Sequence, residues 1–497
     1  MSHKKIAIVG AGVAGTTAAL YLSQLGLNVT LFEKKESISS GPPYCHLHAG
    51  GNLYREISDE QCVTLLKQSI DFAKYYPFIL DYRPTVIVLP KSDKNTPDAL
   101  LPRLKLLQRE YQTLIEEDST NAVLGKSEAY YKLYEKEDVE RLLTVGLVKK
   151  PTSHDEWMVS AIKHIDLENV QYPIVLVQEY GMNLFRFGAG TQLAIEQMKN
   201  IDFHTSTTVE KIDQTNHQWN IAYNKHNVSK NEHFDYLINA SGFKTGSIDD
   251  MVGVTSQKMV EFKASYISQW KSKSELIFPE IIFHGERGTP QGMAQFTPYP
   301  GGYFQLHGMT NDITLYEDGL VTSTDTSAQP RLKNHFIQKL DEGWEESHVE
   351  QRTQNAIEHV AQFMPEFCEA SVGAFPLFGA QQIPGDDPTL RVAEVSFPKA
   401  RYARCEIVKV SSSLDMVDAI VSDLSQLGYL DVACKGSRNR SHLDYIQEDK
   451  LNIYAQSLAR SRNYPSDLAN INVPNPNDNL IFKINHHQLT NRLYESA

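Results

Sequence analysis

The chain has 497 residues, 41% of them hydrophobic and 22% charged, with a formal net charge of −13. It has the composition of an ordinary globular protein long enough for more than one core, and an acidic balance that argues against nucleic acid or an anionic membrane as its main partner. Its five cysteines, Cys45, Cys62, Cys368, Cys405 and Cys434, are scattered without a C-x-x-C pair, so neither a disulfide framework nor a metal site is expected. No apolar run is long enough to span a membrane, and the first one breaks into glycines too early for a signal peptide; a cytoplasmic protein is expected.

The first element is the most informative. Ile6–Val9 is a continuous apolar run, the pattern of a strand buried on both faces of a parallel sheet. Gly10, Gly12 and Gly15 follow in G-x-G-x-x-G spacing. Ala14, Ala18, Leu22 and Leu25 then recur at helical spacing, Gly26 closes the helix, and Leu27–Phe32 returns as a second strand ending in Glu33. In such a βαβ unit the first glycine permits the turn, the second lets the backbone approach a pyrophosphate, and the third lets helix and strand pack closely. The helix start, with Val13 and Ala14, offers unpaired amides to the phosphates. Glu33, with Lys34 beside it, stands where a carboxylate bonds both ribose hydroxyls and repels a 2′-phosphate.

Further along, TTVEKI (Thr207–Ile212) and FDYLINASGF (Phe234–Phe243) read as strands, the second ending in the small residues Ala240, Ser241 and Gly242. The early motif and the lack of a second complete glycine fingerprint favour FAD over a nicotinamide. The order G-x-G-x-x-G…E, V-x-x-I, hydrophobic-N-A-S-G resembles the D-amino-acid-oxidase-like family of FAD-dependent oxidoreductases, which includes glycine and sarcosine oxidases and dimethylglycine dehydrogenases. The specific match covers the first 55 residues and Phe203–Gly242.

The resemblance implies adenine contact through the Val209 backbone, with Ala240, Ser241 and Gly242 close to the cofactor. It implies a loop beneath the flavin at SISSGPPYCHLHAGGNLY (Ser37–Tyr54), bringing in His48, Ala49 and Gly50. One branch of the family joins a histidine in a similar context covalently to the flavin; His48 leaves covalent and non-covalent attachment open. A third contact is implied at Lys409–Gly428, through Ser411 and Ser412 at the start of a helix facing the flavin. Serines there replace the family's glycines. Ser412–Asp415 fits a capping-box start, and Leu414, Val417, Val421 and Leu424 form one apolar face.

The expected fold is α/β. A discontinuous Rossmann-like FAD domain (1–85, 180–255, 370–428) carries an α+β substrate domain (86–179, 256–369) built on an antiparallel sheet, and 429–497 braces the FAD domain. Residues 100–145 read as charged amphipathic helices outside the sheets.

The family resemblance implies hydride transfer from a small amine, amino acid or hydroxy acid to flavin N5, with oxygen or a quinone-type acceptor. Arg401 and Arg404 are candidates to clamp a substrate carboxylate, which suits the planar arginine fork. Tyr303 and His307 share one face of a strand and are candidates to line the cavity. Two other readings stay open: a flavin monooxygenase or halogenase, whose G-D motif would fall at Gly385-Asp386, and a non-catalytic FAD-binding protein.

Overall fold

The computed structural model describes residues 4–38 and 57–474. Two large sheets organise them. The first has six strands in spatial order Val395–Lys399, Tyr402–Cys405, Tyr236–Asn239, Lys5–Val9, Asn28–Phe32 and Ile201–His204. All neighbours are parallel except the antiparallel edge strand Val395–Lys399.

Alternation within these buried strands decides what covers each face. Ile6, Ile8, Val29 and Leu31 pack under the helices Val13–Gln24 and Ser413–Gln426, with Ala18, Leu22, Val417 and Val421. Ala7, Val9, Phe32 and Leu237 face the other way, onto Trp219, Ile221 and Tyr223. Those three belong to a small antiparallel sheet of Thr207–Thr215, Gln218–Lys225 and Val228–Phe234.

The second sheet has nine strands. Eight run in the order Leu320–Thr322, Lys258–Gln269, Tyr303–Gly308, Ala294–Tyr299, Glu280–Phe283, Thr85–Val88, Ile174–Val177, Tyr131–Tyr134, and Ser371–Pro384 also pairs with Lys258–Gln269. Three expectations need correction here. The sheet is mixed, because Thr85–Val88 runs parallel to Glu280–Phe283. The boundary expected at 85 cuts through Thr85–Val88, and the one expected at 370 leaves Ser371–Pro384, which pairs within this sheet, on the FAD-domain side. Within 100–145, Leu101–Glu117 and Lys136–Leu143 are helices, but Tyr131–Tyr134 is a strand at this sheet's edge.

The two faces of this sheet differ. Ala264, Tyr266, Ile281, Phe283, Phe296, Phe304 and Leu306 form an apolar core with helices His154–Ile162 and Glu346–Ala361. The alternate residues Ser265, Glu280, Gln295, Thr297, Gln305 and His307 are buried and polar. Buried polar groups cost free energy unless they are partnered, and here Gln305 donates to Ser265 Oγ at 2.8 Å and Gln295 to Glu280 Oε1 at 2.5 Å. At its middle, Ile267 and Leu377 pack on Phe185 and Ala189 of helix Leu184–Ile195.

Candidate functional site

The five parallel strands of the first sheet end along one edge, and sheets of this type bind ligands beyond their carboxyl ends. Gly10 leaves its strand with φ 103°, and a Cβ there would sit 2.5 Å from the Ala240 oxygen. At Gly15 a Cβ would lie 1.8 Å from the Gly10 oxygen. Gly12 is different, because nothing lies within 4 Å of a Cβ built on it. It caps helix Val13–Gln24 without a side-chain hydrogen bond, and no acidic residue occupies the first turn. An open space in front of uncapped helix amides is a cradle for a diphosphate.

Glu33 closes the adjacent strand. Its Oε2 accepts from the Ala11 amide and its Oε1 from the Lys35 amide, both at 2.8 Å. Burial pushes the Glu33 carboxyl up, while those main-chain donors pull it back down. Each carboxylate oxygen carries a second lone pair, so ribose hydroxyls can still donate to it. The Thr207 amide donates to the Glu33 carbonyl at 2.8 Å, setting the strand that carries Val209 beside this end. Ala240 lies against Gly10 through its amide on the Val9 carbonyl, at 2.9 Å. Ser241 Oγ donates to Asn239 Oδ1 at 2.6 Å, and Gly242 turns the chain with φ 59°. Lys34 is exposed. His48, Ala49 and Gly50 lie outside the described residues.

The helix Ser413–Gln426 starts where its capping-box pattern suggests, but without the capping hydrogen bond. Ser412 has helical backbone angles and makes no cap; its hydroxyl donates to Gln68 Oε1 at 2.7 Å. Asp415 accepts from Gln68 Nε2 at 3.0 Å and pairs with Arg438 at 2.6 Å. Arg438 therefore offsets the negative charge that would oppose a positive helix end. Ser411 and Ser412 are buried, and the equally buried Ser413 Oγ has no partner among the described residues.

On the substrate side, both arginine candidates fail. Leu237 is in register with Tyr402 and Asn239 with Arg404, so Arg401 stands at the opposite edge of the sheet from Gly10. Its guanidinium donates to the His217 carbonyl. Arg404 is at the correct edge but is engaged by Asp249 at 3.1 Å and Glu406 at 2.8 Å. Asp249, fully buried, also takes Lys258 Nζ at 2.9 Å and Tyr402 Oη at 2.6 Å. Releasing Arg404 to a substrate would take one of two cations from this buried carboxylate, so its role is to neutralise Asp249 together with Lys258. Gly385-Asp386 opens no helix: Gly385 turns with φ 74° and no helix forms between the strands 371–384 and 395–399.

Tyr303 and His307 do share the polar face of the second sheet. His307 is in register with Gln295, whereas Tyr303 sits at the end of the strand against the Phe185 cluster. Sequence reasoning missed Lys263 and Glu261 on the neighbouring strand. Lys263 Nζ pairs with Glu261 Oε2 at 2.7 Å and donates to Gln381 Oε1 at 3.0 Å. Arg287 pairs with the same Glu261, and Arg391 adds positive charge nearby. Burial pushes the Lys263 ammonium down to about 8, with Glu261 opposing. Gln381 Nε2 reaches the Val408 carbonyl at 3.2 Å, so the cluster adjoins the turn that leads into the C-terminal helix. A signal was available, since Glu261, Lys263 and Ser265 alternate with the apolar Val260, Phe262 and Ala264.

Among the described residues no group of acidic, His or Cys side chains is arranged to hold a metal, and no helix is long and apolar enough to cross a membrane. The sequence profile of the FAD dependent oxidoreductase family matches residues 5–391. Comparison with curated proteins gives no match. Among solved structures, glycine oxidase from Geobacillus kaustophilus superposes with a TM-score of 0.52 at 13% identity, covering 85% of this chain and 95% of that one. L-proline dehydrogenase from P. horikoshii gives 0.52 at 15% identity, with 86% and 96% covered. L-amino acid deaminase from Proteus vulgaris gives 0.55 at 12% identity, with 87% and 96% covered. These likenesses establish the fold.

Proposed function

The chain belongs to the FAD-dependent oxidoreductase family, and we propose that it oxidises a small amine, amino acid or hydroxy acid carrying a carboxylate. Bound FAD supplies the hydride acceptor, flavin N5. The residues that would hold it are Gly10, Gly12, Val13, Ala14 and Gly15 at the diphosphate, Glu33 at the ribose, the Val209 backbone at adenine, and Ala240–Gly242 and Ser411–Ser413 nearer the ring. The open space at Gly12 and the orphan Ser413 hydroxyl support that fit.

One observation supports the substrate reading: at the margin of the polar face, Lys263 and the exposed Arg287 pair with buried Glu261, and Arg391 adds positive charge nearby. The excess positive charge favours an anionic substrate. Lys263, with its ammonium near 8, can accept the proton from the substrate N–H or O–H as the neighbouring carbon gives up hydride, leaving an imine or carbonyl product. His307 and Gln305 on the same face help to orient the substrate and exclude water. The acidic chain and the lack of a membrane-crossing helix among the described residues support a cytoplasmic enzyme using oxygen or a quinone-type acceptor.

The test is anaerobic bleaching of the flavin by a panel of D- and L-amino acids, N-methyl amines and 2-hydroxy acids, followed by reoxidation with oxygen or a quinone analogue. Rapid bleaching by one class is expected. Failure of every class would refute the substrate proposal, and bleaching by NAD(P)H alone would favour the monooxygenase reading.

A further inference from the structure

The C-terminal segment, beyond the 5–391 family match, ends a helix against the cofactor half of the molecule. Helix Glu448–Ser461 lies on helix Leu184–Ile195 through Leu451, Ala455 and Leu458. Asn463 takes φ 61° and donates to the Arg460 carbonyl, while the Tyr464 amide returns to the Ala459 carbonyl, both at 3.0 Å. This double closure fixes the helix end and the direction in which Arg462 leaves it.

The Arg462 guanidinium lies 5.8 Å from the Phe185 ring centroid, and its Nη2 donates to Ser37 Oγ at 2.9 Å and to the Ile38 carbonyl at 2.6 Å. Tyr464 packs on Phe185 at 5.8 Å and donates to the Pro376 carbonyl of the second sheet at 2.8 Å. Ser37 and Ile38 follow Glu33 after Lys34, Lys35 and Glu36, past the end of the strand ladder, where a buried carbonyl must find some other donor. Burial lowers the Arg462 guanidinium to about 10, with Tyr464 and, less strongly, Glu33 opposing.

We propose that Arg462 is a positioning residue for FAD: by holding the Ser37–Ile38 turn it fixes the Glu33 carboxylate and the chain that leaves it. Cofactor retention then depends on a segment outside the family match. This inference rests on FAD occupying the edge formed by Gly12 and Glu33.

The experiment titrates FAD into apoprotein by flavin-fluorescence quenching, with the apoprotein Tm measured on the same preparations. Arg462→Ala is expected to raise the Kd for FAD about tenfold or more, the scale of a lost charge-assisted hydrogen bond, with little change in Tm. Arg462→Lys keeps the charge and a donor and should recover most of the affinity. Should the alanine variant fail to fold, Arg462→Gln is read in its place. Unchanged affinity in the alanine or glutamine variant overturns the inference, as does an equal loss in the lysine variant accompanied by a fall in Tm, which would mean packing alone. Gly12→Asp separates the premise: if it loses FAD while the Arg462 variants bind normally, only this inference fails, and if it retains FAD the cofactor reading itself fails.

Discussion

The two halves of the proposed site are built in opposite ways. Along the cofactor edge the main chain provides the donors, from the helix amides that follow Gly12 and from Ala11 and Lys35 on Glu33. On the second sheet side chains do it, in paired clusters such as Lys263–Glu261–Arg287 and Lys258–Asp249–Arg404. A main-chain site needs only a short stretch of chain to fold. A side-chain site exists only when distant segments meet, and breaking one partner leaves a buried charge. Even the two lysines of one strand differ, since Lys258 serves a sealed carboxylate and Lys263 faces the polar wall.

Variants of the two halves should therefore fail differently. Gly12→Asp places a carboxylate against the diphosphate and should yield folded but colourless protein, the largest effect; stoichiometric FAD in that variant would break the comparison at its cofactor side. Asp249→Asn leaves Lys258 and Arg404 without their shared counter-charge. It should cost about 3–5 kcal/mol in denaturant unfolding; a cost below about 1 kcal/mol would mean that the network is not sealed.

Lys263→Met should keep FAD and fold but lose about 2–4 kcal/mol of transition-state binding, at least about 30-fold in kcat/KM. Because burial depresses this lysine to about 8, the neutral, proton-accepting form grows as pH rises. Wild-type kcat/KM should climb through about pH 8, and the Met variant should show no such limb. A limb surviving in the variant would assign the titration to another group.

Glu33→Gln replaces charge-assisted ribose hydrogen bonds by neutral ones and should weaken FAD binding by about 1–2 kcal/mol. Unchanged affinity in a fluorescence titration would turn Glu33 away from the ribose. Arg401→Ala, at the far edge of the sheet, should stay within about 0.5 kcal/mol of wild type in stability and leave kcat/KM unaltered. A large kinetic loss would restore the carboxylate clamp that the register excludes.

The amino-acid sequence by itself determined the dinucleotide half: the strand Ile6–Val9, the three glycines with their distinct steric demands, the helix, and Glu33 at the end of the next strand. That information is local, because a glycine's missing Cβ and a helix's free amides act within one βαβ unit of about 30 residues. The alternation that places Tyr303 and His307 on one face was also legible, being a property of a single strand. Only the tertiary structure decided the rest. It drew Ser371–Pro384 into the second sheet, gave Arg404 to Asp249, set Arg401 at the wrong edge, gathered Lys263 with Arg287 and Gln381, and brought Arg462 to Ser37. Those outcomes depend on pairings between residues tens to hundreds of positions apart, and a charged side chain carries no mark of its partner until the chain has closed around both.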